Sequence, residues 1–292
     1  MAQNLKIAGV AGWPIHHSLS PMLHNYWLKH SDISGAYTMF AVHPSEAVYA
    51  FKTLKKATIE GLNVTIPLKA LAYEAADEVT PDAQKLGVCN VLCKRDGKLI
   101  GHNTDMEGFA APLLDHIGHH YILNNAVTLV GAGGVARAVL GSLLALGAPE
   151  IRIINRSDER AKKLASNINI PSLHAYNWSE RQSVIADAGL VINATAAGMT
   201  GHDKLDIDVR VMAKNTWVYD LIYTPLETPL MKQAKKHGLN TIGGLEMLIA
   251  QARPSFRLFY GAEPPKNVGA KDMLIKHLMA KPLQAKKLQA GK

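Results

Sequence analysis

The sequence predicts an α/β fold in two domains, and three observations predict it. Short apolar segments alternate with helical ones through the first hundred residues. The alternation starts afresh near residue 126, after a helical stretch. That restart opens on a glycine-rich turn, Gly131-Ala132-Gly133-Gly134-Val135-Ala136, set between a strand and a helix. Strand–helix alternation argues for largely parallel sheets covered by helices. A chain of 292 residues suits two such domains better than one.

In the first domain, residues 7–10, 38–42, 61–65 and 88–93 read as strands. Residues 21–29, 46–56 and 70–77 read as helices. Pro67 fixes its own backbone angle and lacks a donor, so Lys69 stands just beyond a rigid strand end. The domain boundary is expected just after Asp105, with a helix from 106 to 117 as the bridge. Residues 126–130 open the second domain as a strand. A helix then runs to about residue 146, with Val135, Val139, Leu143 and Leu146 on one face. Gly147 is placed to end it. Residues 151–155, 190–193, 217–220 and 239–242 continue as strands. The helical region 246–260 is expected to return to the first domain, which is then discontinuous: 1–105 plus about 245–292, against 106–244.

The formal net charge is +8 and the isoelectric point about 9.3, which favours anionic ligands. Part of the excess sits in the tail from Lys281 to Lys292. That tail has no interleaved aromatics and no nucleic-acid recognition motif, so it reads as a solvated end. The two cysteines, Cys89 and Cys93, lack a second ligand pair, which argues against zinc. Low cysteine use fits a reducing cytosol. The N-terminus does not resemble a signal peptide, and the most apolar stretch, 138–149, is too short for a bilayer. His16, His17, His24, His119, His120 and His202 show no metal-ligand pattern. The expectation is a cytoplasmic protein with neither metal nor membrane nor nucleic acid as partner.

Gly131, Gly133 and Ala136 match the G-x-G-x-x-G/A fingerprint of a Rossmann domain, in its confirming strand–turn–helix context. Residues Gly131, Ala132, Gly133, Gly134 and Val135 are therefore candidate pyrophosphate contacts, at the positive end of a helix. The end of the following strand selects the cofactor. NAD enzymes place Asp or Glu there for the ribose hydroxyl. This chain has Asn155, Arg156 and Ser157, then Arg160. Guanidinium groups bind a 2′-phosphate, which a carboxylate would repel. The reading is NADP.

Lys69 and Asp105 can form an acid–base pair. A ketone receiving hydride needs a proton, which a tuned lysine supplies. Most Lys–Asp pairs, however, are surface ion pairs of little consequence.

Several motifs occur in an order that resembles the shikimate dehydrogenase family. They are GWPIHHSLSPMLHN at 12–25, NVTIPLK at 63–69, NTD with Gly108 at 103–108, GAGG at 131–134, NRS at 155–157, NAT at 193–195 and GLEMLIAQ at 244–251. The resemblance covers positions 9 to about 260. It implies an N-terminal, mostly parallel α/β substrate domain and a C-terminal Rossmann NADP-binding domain. It implies NADPH-dependent reduction of 3-dehydroshikimate to shikimate in aromatic amino-acid biosynthesis. By motif, Ser18 and Ser20 would hold the substrate carboxylate. Thr65, Asn90 and Asp105 would bind ring hydroxyls, with Asn63 helping to position and Lys69 as general acid and base. Tyr223 and Gln251 would complete the substrate contacts, and Leu221 and Gly244 would lie near the nicotinamide. The family commonly has Asn-Thr where this chain has Asn90-Val91, a departure that bears on substrate preference. Two rivals share these motifs: a quinate/shikimate dehydrogenase of broader specificity, and a non-catalytic sensor of shikimate-like ligands. An acidic residue at the strand end where Asn155, Arg156 and Ser157 stand would suit the NAD-using rival. A sensor has no need of Lys69, Asp105 and the phosphate loop together. Either a monomer or a homodimer is compatible with the sequence.

Overall fold

The computed structural model describes residues 5–280; the Lys-rich tail from Lys281 lies outside them. The chain forms two compact units. One comprises residues up to Thr104 and from Gln251 onward, the other Asp105–Ala250. Asp105 thus heads the second unit, and the return crossing falls inside a helix, about six residues later than the sequence suggests.

The first unit is built on a six-stranded sheet. Its strands are β1 (Lys6–Gly12), β2 (Gly35–Ala41), β3 (Gly61–Val64), β4 (Glu78–Val79), β5 (Val91–Arg95) and β6 (Lys98–His102), in the order β2-β1-β3-β5-β6-β4. Pairs β1/β2, β1/β3 and β4/β6 are parallel, whereas β3/β5 and β5/β6 are antiparallel. The antiparallel hairpin is a departure from the expected pattern, in which residues 88–93 form a lone strand. Asp96 and Gly97 both have positive φ, the two-residue Asp-Gly turn that closes a hairpin. The helices are α1 (Ser20–Lys29), α2 (Ala47–Thr53), α3 (Lys69–Ala75) and α4 (Pro81–Leu86). The expected helix at 46–56 is broken: α2 is flanked by single 3₁₀ turns at Pro44–Glu46 and Leu54–Lys56. Helix α4 is absent from the sequence-based pattern, although it carries Pro at its start and a left-handed Gly87 at its end.

The second unit begins with α5 (Asp105–Leu123), which runs past the expected residue 117 through a non-helical Gly118. Its sheet holds β7 (Val127–Val130), β8 (Ile151–Ile154), β9 (Leu173–Tyr176), β10 (Leu190–Asn193), β11 (Trp217–Asp220) and β12 (Asn240–Gly243). The order is β12-β11-β10-β7-β8-β9, and every pair is parallel. Between them run α6 (Gly134–Ala145), α7 (Asp158–Ile168), α8 (Arg181–Ala186) and α9 (Pro229–Lys236). Alternate residues face opposite cores. Leu129, Ile153, Ile192 and Tyr219 pack with Phe109, Leu113, Val139 and Leu143. Val130, Ile154, Val191 and Val218 pack with Val184, Ile185, Leu230 and Ala234. Each fully buried aliphatic chain contributes about 1.5–3 kcal/mol, so the sheet is held from both faces. The strand order reverses between β7 and β10, which is where open α/β sheets of this topology bind ligands.

The helix α10 (Gly244–Tyr260) begins in the second unit, and its residues from Gln251 belong to the first. There Phe259 packs against β3 so closely that a Cβ on Gly61 would lie 2.7 Å from its ring and 2.4 Å from the Leu92 carbonyl oxygen. Tyr260 donates its hydroxyl to the Ala36 carbonyl at 3.1 Å, and Lys6 donates to the Tyr260 carbonyl at 2.7 Å. The last described helix, α11 (Ala270–Ala280), follows a loop pinned by the Tyr26 hydroxyl to the Val268 carbonyl at 2.6 Å. Among the described residues, no helix is long and apolar enough to cross a membrane. Gly61→Ala should cost about 1–3 kcal/mol by overpacking, because one obstacle is backbone and cannot rotate away. Urea denaturation of the variant measures it, and a loss within experimental error would mean that β3 shifts freely.

Candidate active site

In the first unit, the candidate substrate residues gather at the carboxyl ends of β1 and β3. Gly12 ends β1 with no room for a side chain: an added Cβ would lie 2.6 Å from the Thr65 methyl. This close approach brings the loop after β1 beside the loop after β3. On the first loop, Ser18 donates its N–H to Ile15 at 3.0 Å, and the Ser18 hydroxyl oxygen accepts the Ser20 N–H at 3.3 Å. That contact shapes the entry to α1 while leaving the Ser18 hydroxyl proton to donate elsewhere. Ser20 is buried at the first turn.

On the second loop, half-buried Thr65 accepts the Leu68 N–H at 2.9 Å, and Lys69 begins α3. The Lys69 carbonyl accepts the Cys89 N–H at 3.0 Å, and the next residue, Asn90, accepts the Val64 N–H at 2.7 Å. Lys69, Thr65 and Asn90 are therefore tied through neighbouring backbone. Thr104 holds the Asn90 amide at both atoms: Asn90 Oδ1 accepts the Thr104 N–H at 2.7 Å and Nδ2 donates to the Thr104 hydroxyl at 3.0 Å. Thr104 in turn donates to the Gln251 carbonyl at 3.0 Å, which brings Gln251 to the same set.

Asn63 acts from inside the unit. Its Oδ1 accepts the Tyr37 hydroxyl at 2.7 Å and its Nδ2 donates to Ser255 at 2.8 Å. Val91 is fully buried opposite Asn63 in the ladder, so the departure at this position is a change in the core. Cys89 and Cys93 are free and buried, and burial pushes their thiols up to about 12 and about 11. No cluster of three or more His, Cys, Asp or Glu suited to a metal occurs among the described residues.

In the second unit, Asp105 is buried in the first turn of α5, where the helix dipole favours a carboxylate. The glycine turn lies at the sheet's switch point. Gly131 has φ +120°, and an added Cβ would lie 3.0 Å from the Ala194 carbonyl oxygen. Gly133 and Gly134 differ: nothing lies within 4 Å of a Cβ added to either. The fold itself does not demand glycine at these two positions. Glycine at both leaves the backbone bare for the close approach of a ligand. Gly133 caps α6 without a side-chain hydrogen bond, so the first-turn N–H groups, including that of Val135, have no side-chain cap competing with an anion. Ala136 is fully buried, as the close helix–strand packing requires.

At the end of β8, Asn155 donates to the Ser157 carbonyl at 2.9 Å and shapes the turn. Arg156 and Arg160 are exposed, and neither is paired with a carboxylate among the described residues. Arg181, Arg210 and Arg257 each hold one, and Arg152 holds two. Leu221 donates its N–H to Asn193 at 3.1 Å. Gly244 is required by backbone: an added Cβ would lie 2.1 Å from the Leu221 carbonyl oxygen. Burial raises the Tyr223 phenol above its ordinary value.

One group gives no signal in the sequence. Asp220, the last residue of β11, is completely buried and its carboxylate accepts hydrogen bonds from Asn193, Ile222 and Thr228. Burial lifts its pKa to about 6, against the opposing effect of these donors.

The parallel sheet, the glycine cradle and the basic strand end together define a dinucleotide-binding α/β protein. A family model described as the shikimate dehydrogenase substrate binding domain matches residues 10–92, and one described as shikimate / quinate 5-dehydrogenase matches residues 116–216. The shikimate dehydrogenase (NADP(+)) of Rhodospirillum rubrum is 39% identical over 263 residues, covering 89% of this chain and 93% of that protein. The shikimate 5-dehydrogenase of Thermus thermophilus, crystallised with NADP(H) and shikimate, superposes with a TM-score of 0.81 at 30% identity, over 94% of this chain and 99% of the other. The quinate dehydrogenase of Corynebacterium glutamicum, crystallised with NAD, superposes with a TM-score of 0.85 at 30% identity, over 94% and 100%. The chain belongs to the shikimate dehydrogenase family.

The raised pKa of Asp220 carries a stability consequence. Its folded value exceeds its unfolded one, so its contribution is fully present below the unfolded pKa and is lost as the pH rises through about 6. Compared with Asp220→Asn, the wild type should gain about 2–3 kcal/mol of unfolding free energy between about pH 7.5 and about pH 4. Urea denaturation of both proteins at the two pH values measures this. A difference that does not change with pH would mean that Asp220 titrates normally.

Proposed function

We propose that this protein is an NADP-dependent shikimate dehydrogenase, which reversibly reduces 3-dehydroshikimate to shikimate in aromatic amino-acid biosynthesis. It acts on this small molecule as a cytoplasmic enzyme, as a monomer or a homodimer. The observation that carries the cofactor choice is the open cradle at Gly133 and Gly134 with two uncommitted guanidinium groups, Arg156 and Arg160, at the next strand end. Bound NADPH would supply the hydride. The residues of the chain supply the rest. Ser18 and Ser20 hold the substrate carboxylate. Thr65, Asn90 and Asp105 fix the ring hydroxyls, with Tyr223 and Gln251 as further substrate contacts. Lys69 gives its ammonium proton to the carbonyl oxygen as the alcohol forms, and takes one back in reverse. Asn155, Arg156, Ser157 and Arg160 take the 2′-phosphate end. Leu221 and Gly244 bound the nicotinamide end.

The direct test is absorbance at the reduced-nicotinamide band when the protein is mixed with shikimate or quinate and with NADP⁺ or NAD⁺. Growth with shikimate and NADP⁺ is expected. Growth only with quinate and NAD⁺ would establish the rival specificity, and growth with no pair would leave a ligand sensor.

Lys69→Ala should lower turnover by roughly 10²–10⁴ with a much smaller change in substrate affinity, as for a positioned acid–base group. A loss below about tenfold in a folded variant removes Lys69 from the chemistry. Arg156→Ala should weaken NADP binding by about 1.5–3 kcal/mol, the worth of a hydrogen bond to a charged group, and leave NAD binding unmoved. Equal weakening of both, read by calorimetric titration, would reduce Arg156 to general field or fold stability.

A further inference from the structure

Asp220 is a buried carboxylate that the chemistry above does not use. Among the described residues no cation is paired with it. Its partners are three donors from three segments. Asn193, at the end of β10, donates its Nδ2 to Oδ1 at 3.0 Å. The Ile222 N–H, in the turn after β11, donates to Oδ1 at 3.1 Å. The Thr228 hydroxyl, at the N-cap of α9, donates to Oδ2 at 2.6 Å. Thr228 also accepts the Met231 N–H at 3.2 Å, so its proton is directed at Asp220. The set suits an ionised carboxylate, which accepts and never donates.

The network continues to the glycine turn. Asn193 Oδ1 accepts both the N–H and the hydroxyl of Thr195, at 3.0 and 2.7 Å. Its Nδ2 donates also to the Ala197 carbonyl at 3.1 Å, and Thr195 Oγ1 accepts the Ala197 N–H at 3.0 Å. The turn so fixed is the one that abuts Gly131: a Cβ there would lie 3.0 Å from the Ala194 carbonyl oxygen and 3.1 Å from the Thr195 methyl. On the other side, the Ile222 bond fixes the segment that carries Leu221 and Tyr223. Leu221 is itself bonded to Asn193 and passes against Gly244.

We propose that Asp220 is a positioning residue for the dinucleotide: it locks the turn at 193–197 against the glycine loop and the segment at 221–223 against Gly244, and so sets NADP affinity without touching the cofactor. This rests on the assignment of that sheet edge to NADP. A carboxylate serves where an apolar residue cannot, because the three segments converge with donors only, and unpaired buried donors are costly. An asparagine substitutes in part: its oxygen accepts two of the bonds, while its NH₂ meets the Thr228 hydroxyl and forces that proton elsewhere.

The test is fluorescence titration of the full-length protein with NADPH, beside steady-state kinetics and thermal melting. Asp220→Ala should raise the dissociation constant for NADPH and the KM for NADP about tenfold or more, the equivalent of one lost buried hydrogen-bonding group. The KM for shikimate should rise by a smaller factor, because Asp220 reaches the substrate side only through the segment that carries Tyr223. Asp220→Asn should fall between Ala and wild type. Thr228→Val should weaken NADPH in the same sense, and Thr228→Ser, which keeps the hydroxyl, should restore it. If Asp220→Ala fails to fold, the Thr228 pair decides alone. An unchanged NADPH dissociation constant in the folded variants, or equal rises in both KM values, overturns the role of Asp220 and leaves a structural brace. Absence of NADPH binding by the wild type overturns the functional assignment itself, a failure distinct from that of the variants.

Discussion

Parallel pairing with burial on both faces is the constraint from which the second unit follows. A parallel strand cannot return directly to its neighbour, so each is followed by a long crossover, which lays a helix on the sheet in every case but the β10–β11 connection, where a 3₁₀ turn at Val209–Val211 stands instead. The four central strands are almost wholly buried, and apart from Thr128 and Arg152 their polar side chains stand near the row that ends them. The ladder aligns Gly243, Asp220, Asn193, Val130, Ile154 and Tyr176 across the six strands at one edge. Beyond that row lie turns and helix starts, which carry the glycine cradle, Arg156 and Arg160, and the partners of Asp220. The fold thereby separates the apolar positions that hold it together from the polar ones available for a ligand.

What can be read in advance follows from the same division. The glycine turn is legible because close backbone approach leaves a residue-type signature, and the structure separates its glycines: backbone crowding requires Gly131, whereas open space surrounds Gly133 and Gly134. The core of α6 is legible from its 3.6-residue period. The β5–β6 hairpin is harder to see, although Asp96-Gly97 between two apolar runs is its local signal; the expectation of uninterrupted strand–helix alternation overrides it. Asp220 is unreadable for a different reason. A lone carboxylate at the end of an apolar strand gives no local clue that three donors converge on it. Asn193, Ile222 and Thr228 come from three separate segments, and only the assembled sheet brings them together. Gly244 shows the limit of assigning a role from a motif: its small size already has a full explanation in the Leu221 backbone.

Asp220 is a local conflict between stability and order. Desolvation opposes its ionised form, whereas every hydrogen bond it makes requires an acceptor. A hydrophobic residue of similar volume would relieve the first cost and strand three donors. Such conflicts persist where the surrounding structure over-determines them, and they cluster at sites that must be held in one arrangement. The residues next to it show the contrast. Tyr219 and Val218, one and two residues earlier in the same strand, simply enter the two hydrophobic cores.

The distribution of arginines makes a related argument about the cofactor. A surface arginine costs little when it lies beside a carboxylate, and the chain pairs Arg152, Arg181, Arg210 and Arg257 in this way, whereas Arg95, Arg137 and Arg253 have no carboxylate partner among the described residues. Arg152 even holds two carboxylates, those of Glu150 and Asp187. A few residues further along the chain, Arg156 and Arg160 follow the end of β8 without such partners among the described residues. Asp158 and Glu159 lie between them in the chain, at the first turn of α7, but a guanidinium without a carboxylate partner stays available to an anion. A 2′-phosphate has the charge and the acceptor oxygens to engage it. A bare ribose hydroxyl has neither, and it is there that discrimination between the two nicotinamide cofactors would reside.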